Sequence, residues 1–114
     1  MVNIYEDLNK LQATLRKTDE FANLQKAVEE VRADEQAKVL FTNFRDIQMK
    51  LQQKQVAGED LTEEEYGYLQ KTAQLAQQDV KILAMLEAEM ALSTVIEEVN
   101  RVITQPIQSL YDGL

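Results

Sequence analysis

Twenty carboxylates, with no histidine and no cysteine, set the chemical range of this chain. Glu87 and Glu89, or Glu97 and Glu98, could hold a divalent cation together with waters. A di-iron site in a helical bundle, however, takes a Glu-x-x-His motif from each of two helices, and that motif is absent. The acidic run Glu59, Asp60, Glu63, Glu64 and Glu65 could also attract a cation. It lacks the ligand spacing and central glycine of an EF-hand loop. A helix N-terminus favours acids in any case. Exposed helix charge therefore accounts for both groups, and neither a metal nor any other cofactor is expected.

Other chemistries fail on residue type. Without Cys or His there is no disulfide, thiolate zinc site, Cys-ligated iron–sulfur cluster or His-based catalysis within this chain. No phosphate loop, dinucleotide fingerprint or serine nucleophile motif occurs. The expectation is a protein that is not an enzyme. Arg45, Lys50 and Lys54, with Lys71, fall on one side of a helical hairpin and form a candidate RNA contact. As an RNA contact the grouping is a weak signal, and solvated faces with pairing at (i, i+4) are its ordinary explanation. The net charge of −8 disfavours direct wrapping of a phosphate backbone or docking on an anionic membrane. Met49, Met85 and Met90 could line an adaptable groove, although methionine more often fills core gaps.

The elements that hold these residues are helices. Three Gly and one Pro in 114 residues leave few breaks, and the mix of Gln, Glu, Leu, Ala and Lys favours helix. The length suits one helical domain, 1–114. Asn3 and Glu6 form a capping-box-like start, followed by a stripe of Ile4, Leu8, Leu11 and Leu15. Thr18 caps a second helix carrying Phe21, Leu24, Val28 and Val31, which ends near Arg32. Asp34 caps a third, from about Glu35 to Ala57, with Ala37, Leu40, Phe41, Phe44, Ile47, Leu51 and Val56 on its apolar face. Gly58 stops it. After a loop of Glu59, Asp60 and Leu61, Thr62 and Glu65 form the clearest capping box of the chain. The fourth helix presents Tyr66, Leu69, Ala73, Ala76 and Val80, and pairs with the third as an antiparallel hairpin. Gly67 weakens its first turns slightly. It marks either a close backbone contact or an exposed, tolerated glycine.

A break near Gln78–Asp79 opens the last helix, expected to reach about Gln105. Pro106 should kink it or force a restart, with Ile107, Leu110 and Tyr111 packing as a terminal turn. The apolar surface of this helix is wide. One stripe is Met85, Leu92, Val95, Val99 and Val102. A second is Leu86, Met90, Ile96, Ile103 and Ile107. Either the helix is central in the monomer, or one stripe packs on a second copy. A homodimer is the expectation, with Leu92, Val95, Ile96, Val99, Val102 and Ile103 as candidate interface residues. The N-terminal residues have no apolar signal core, and no apolar run is long enough to cross a membrane. A cytoplasmic protein is expected.

Four stretches carry a resemblance: MVNIY at the start, ADEQAKVLFTNFRDIQMKLQQKQ, GEDLTEEE, and MLEAEMALSTVIEEVNRVITQPIQSLY near the end. Together they span almost the whole chain, which resembles the YlbF/YmcA family of small helical bacterial proteins and most closely its YheA-like branch. The motifs are distributed helical patterns and not a catalytic signature. The resemblance implies an all-α fold with a long helical hairpin, dimerisation, and occurrence mainly in Gram-positive bacteria. It further implies an adaptor role, since better-known members join a complex that modulates an RNA-degrading endonuclease. Some of those complexes carry iron–sulfur clusters through cysteines, which this chain lacks. No catalytic residues come with the family.

Three functions therefore compete. The first is a homodimeric interaction module, docking through the hairpin Phe41–Leu69 or the last helix, with partners in RNA processing. The second is direct RNA binding through Arg45, Lys50 and Lys54. The third is an enzyme or metal carrier using carboxylates alone.

Overall fold

A computed structural model describes all 114 residues. The chain is all-α: α1 (Ile4–Leu15), α2 (Asp19–Ala33), α3 (Glu35–Ala57), α4 (Glu63–Gln78) and α5 (Val80–Leu110). Its contacts divide it into two compact units, one of Lys26–Leu86 and one of Met1–Gln25 with Glu87–Leu114.

The helix boundaries follow from side chains that satisfy free backbone N–H groups. The Asn3 carboxamide accepts from Tyr5 N–H; the expected reciprocal bond from Glu6 is not formed. Thr18 Oγ1 accepts from Phe21 N–H at 3.2 Å and donates to the Leu15 carbonyl at 2.7 Å. Asp34 Oδ1 accepts from Ala37 N–H at 3.1 Å. Gly58 ends α3 with φ +74°, a left-handed conformation that costs glycine little. Its N–H and that of Glu59 donate to the carbonyls of Gln55 and Lys54, which satisfies the last turn. At the next start, Thr62 Oγ1 accepts from Glu65 N–H at 3.2 Å while the Glu65 carboxylate accepts from Thr62 N–H at 3.0 Å. The expected break falls at Asp79. Its backbone is extended, its N–H donates to the Ala76 carbonyl, and its Oδ1 accepts from the N–H groups of Lys81 and Ile82.

All fully buried side chains lie in the Lys26–Leu86 unit. Ala27, Ala37, Thr72 and Ala76 are small, and Val31, Ile47, Leu61, Ile82 and Met85 supply the bulk. Ile82 is the largest side chain with no exposure at all. Thr72 is the one buried polar residue, and its hydroxyl donates back to the carbonyls of Tyr68 and Leu69. α3 and α4 are the helices whose backbones approach most closely, as the short connection required.

Several expectations need correction. Val80 is exposed, because the break at Asp79 changes the helical phase and brings Ile82 and Met85 inward in its place. Val56 lies in the final turn of α3 and is 91% exposed. Tyr66 is also exposed, and Leu61, expected in a loop, is buried. α5 does not stop at Gln105 or restart. It continues through Pro106 to Leu110. The proline removes one donor, and the Val102 carbonyl left without it belongs to an exposed residue that water can reach. Ile107, Leu110 and Tyr111 do not pack; all three are exposed. Gly67 is of the exposed, tolerated kind: a Cβ there would meet nothing within 4 Å.

Candidate interaction surfaces

Within the Lys26–Leu86 unit, the charged centre of the hairpin is Glu65. Being the third residue of α4, it reaches back to close the capping box. The hairpin register also sets it against α3. Its Oε1 accepts from the Lys54 ammonium at 2.5 Å, and the Lys50 ammonium lies 3.0 Å from Oε2. The Lys50 contact is an ion pair and not an aligned hydrogen bond. The carboxylate is mostly covered, with 13% of its side-chain surface exposed. The Lys54 hydrogen bond, then the Thr62 N–H and Lys50, pull its pKa down to about 2.

A second carboxylate also serves two ends. Asp34 caps α3 through Oδ1, and its Oδ2 accepts from Lys81 of α5 at 3.0 Å. The Ala37 N–H, then Lys81, hold its pKa below the usual carboxylate value.

These pairings bear directly on the candidate RNA contact. Arg45, Lys50 and Lys54 all lie on α3, but Lys50 and Lys54 converge on Glu65. Of the three, only Arg45 is left without an acidic partner, so no free basic stripe is assembled there. Next to them is an open cleft of about 280 Å³, lined by Asp46, Ile47, Lys50, Glu64, Glu65 and Tyr68. Asp46 and Tyr68 carry no signal in the sequence and Glu64 stands out there only as part of the acidic run, because only the α3–α4 register brings the three together. Elsewhere the carboxylates do not converge: no three acidic residues are placed to share a metal ion. Glu98 pairs with Arg101 one turn along α5.

In the other unit, the cover on the apolar residues of α5 runs out towards its C-terminus, where every residue from Arg101 to Leu110 is exposed. Leu92, Val95 and Val99 are half-buried within the chain, whereas Ile96, Val102 and Ile103 are exposed. Of the six candidate interface residues, Ile96, Val102 and Ile103 are therefore open to a partner. Ile107 and Leu110 extend the open surface. On α1, Ile4, Leu8 and Leu11 are exposed too. No residue of Met1–Gln25 or Glu87–Leu114 is fully buried. No helix is long and apolar enough to cross a membrane.

Comparison with known proteins agrees with this architecture. A family described as "Control of competence regulator ComK, YlbF/YmcA" matches residues 4–108. The chain is 61% identical over 114 residues to a UPF0342 protein of Lysinibacillus sphaericus, covering 100% of this chain and 99% of that one. It is 47% identical over 113 residues to the UPF0342 protein YheA of Bacillus subtilis, covering 99% and 97%. Among solved structures it resembles a "Protein of Unknown Function (DUF964) from Bacillus stearothermophilus", with a TM-score of 0.84, 32% identity and 97% of each chain covered.

Proposed function

From the chain's membership of the YlbF/YmcA family, in its YheA-like branch, we propose that it is a non-enzymatic interaction module that acts as a homodimer. One observation carries this reading. The Met1–Gln25 and Glu87–Leu114 unit fully buries no side chain, yet it carries amphipathic helices with apolar stripes. Amphipathic helices draw most of their stability from covering the apolar face. Met90 is 71% exposed, Ile103 58% and Leu110 78%. A second copy of the chain brings a matching face, and two-fold pairing is the commonest closed assembly.

The magnitudes are consistent. Covering a half-exposed aliphatic side chain is worth ~1 kcal/mol. Six such residues from each copy supply on the order of 10 kcal/mol, against an association cost of about 4–15 kcal/mol. The dimer therefore needs most of the face. Light scattering on the purified protein tests this part: twice the chain mass of 13.1 kDa is expected, and a single-chain mass overturns it.

The adaptor part of the proposal rests on the family description, which concerns control of a competence regulator, and on the RNA-processing partners that the family resemblance implies. A tagged pull-down from native lysate, with and without RNase, tests it. RNase-resistant recovery of RNA-processing proteins is expected. Recovery of this chain alone overturns the adaptor role and leaves the dimer standing.

A further inference from the structure

We propose that the cleft between α3 and α4 is an anchor site for an arginine side chain presented by a protein partner. The identification of the partner as a protein rests on the adaptor reading. The choice of arginine rests on the cleft itself.

Size comes first. Pockets that enclose drug-sized ligands run from roughly 300 to 1,000 Å³. At about 280 Å³ and open to solvent, this cleft lies at the small end of that range and has room for one long side chain. Part of its lining is apolar and aromatic: Ile47 is buried and Tyr68 is 45% exposed. Such a surface takes an aliphatic stem and the flat face of a guanidinium.

Charge selects the head group. The lining holds three carboxylates and one ammonium. Glu65 is held by both Lys50 and Lys54, and with Asp46 and Glu64 included the five groups still carry a net negative charge. Lys50 could have turned back to Asp46, four residues earlier, but it reaches across to Glu65. Asp46 and Glu64, on opposite helices, line the same cleft and have no ion pair. The one cation of the lining, Lys50, is committed to Glu65 together with Lys54, and Asp46 and Glu64 remain unpaired beside Ile47 and Tyr68. A guanidinium satisfies that arrangement better than an ammonium: it is planar, more weakly hydrated, stacks on an aromatic ring and can bind carboxylates through two parallel N–H donors.

The test is a nuclear magnetic resonance titration of the intact protein with N-acetyl-arginine amide. N-acetyl-citrulline amide serves as the uncharged isostere and N-acetyl-lysine amide as the alternative cation. Saturable shifts of Tyr68 and Ile47 with the arginine probe, weaker with lysine and absent with citrulline, are expected. They should diminish as salt is raised. The double variant Asp46→Asn, Glu64→Gln leaves the Glu65 bonds in place and should weaken the response at least tenfold with helix content unchanged. An equal response to citrulline, no response to arginine, or an undiminished response in the double variant overturns the proposal. The readout is independent of assembly. A monomeric protein that captures no partner defeats the adaptor reading and leaves this titration intact, whereas a flat titration of a partner-binding dimer removes only the arginine anchor.

Discussion

The ammonium of Lys54 lies 2.5 Å from Oε1 of Glu65, the same oxygen that accepts the Thr62 N–H at 3.0 Å. One carboxylate thus closes the start of α4 and fastens that helix to α3. Its ionised form is the one that both roles require.

The pH dependence follows. The Glu65 pKa is lowered from 4.5 to about 2 in the folded chain. A depressed carboxylate pKa gives stability that is present above the unfolded value and is lost as pH falls through the folded one. The Glu65 contribution should be complete at neutral pH and should disappear between about pH 4.5 and pH 2. Glu65→Gln removes the charge at every pH. Urea unfolding followed by circular dichroism should find the variant weaker than the parent at pH 7, with the gap closing at the acid end. A gap that does not change with pH would place the effect in packing and not in charge.

The start of α5 makes a sharper contrast between neighbouring residues. Ile82 is fully buried and Val80, two residues earlier, is exposed. Ile82→Ala should cost ~2–5 kcal/mol, the range for a large aliphatic removed from a packed core. Val80→Ala should change stability by less than about 0.5 kcal/mol. The urea midpoints of the two variants measure the difference. Similar losses would mean that the break at Asp79 does not set the helical phase.

These two cases also mark what the sequence could and could not disclose. Thr62 and Glu65 were legible because a capping box is a local pattern, three residues apart, with both partners stated in the chain. Asp34, Gly58 and Asp79 were legible for the same reason. Val80 was misplaced because extending the stripe of α4 across a break assumes a phase that the break changes. Pro106 was over-read: losing one donor on a solvated turn does not end a helix. The cleft containing Asp46, Glu64 and Tyr68 could not be seen at all, since it depends on how α3 and α4 align and no local spacing records that. The two stripes of α5 were visible from periodicity. Only the fold shows that Leu92, Val95 and Val99 are partly covered while Ile96, Val102 and Ile103 are not.

Gly67 tests the backbone of α4. It lies inside the helix with a negative φ and open space where a Cβ would stand. Gly67→Ala should therefore stabilise the protein, chiefly by restricting the unfolded chain, by about 0.4–1 kcal/mol. A rise in the urea midpoint at unchanged slope is the expected result. Destabilisation would indicate a close neighbour at that point of the helix, such as a bound partner chain.

The open face of α5 gives the most direct test of assembly. Val99 is a poor probe, because it is half-buried within the chain and a charge there would disturb the fold as well as any interface. Ile103 is exposed and lies between Ile96 and Ile107 on one side of the same helix, with exposed Val102 beside it. In an isolated chain, Ile103→Asp should be nearly neutral for folding, since the new carboxylate sits in water. In a dimer it would be buried without a partner, at a cost of several kcal/mol. That is comparable to the surplus the apolar face supplies. Ile103→Asp should therefore halve the mass measured by light scattering while helix content stays the same. Val56→Asp is the control: Val56 is more exposed than Ile103 but belongs to the Lys26–Leu86 unit, and the variant should retain the parent mass. If Ile103→Asp also keeps the double mass, Ile103 lies outside the contact and pairing must use another part of the chain. If both variants become monomeric, the contact extends to the end of α3.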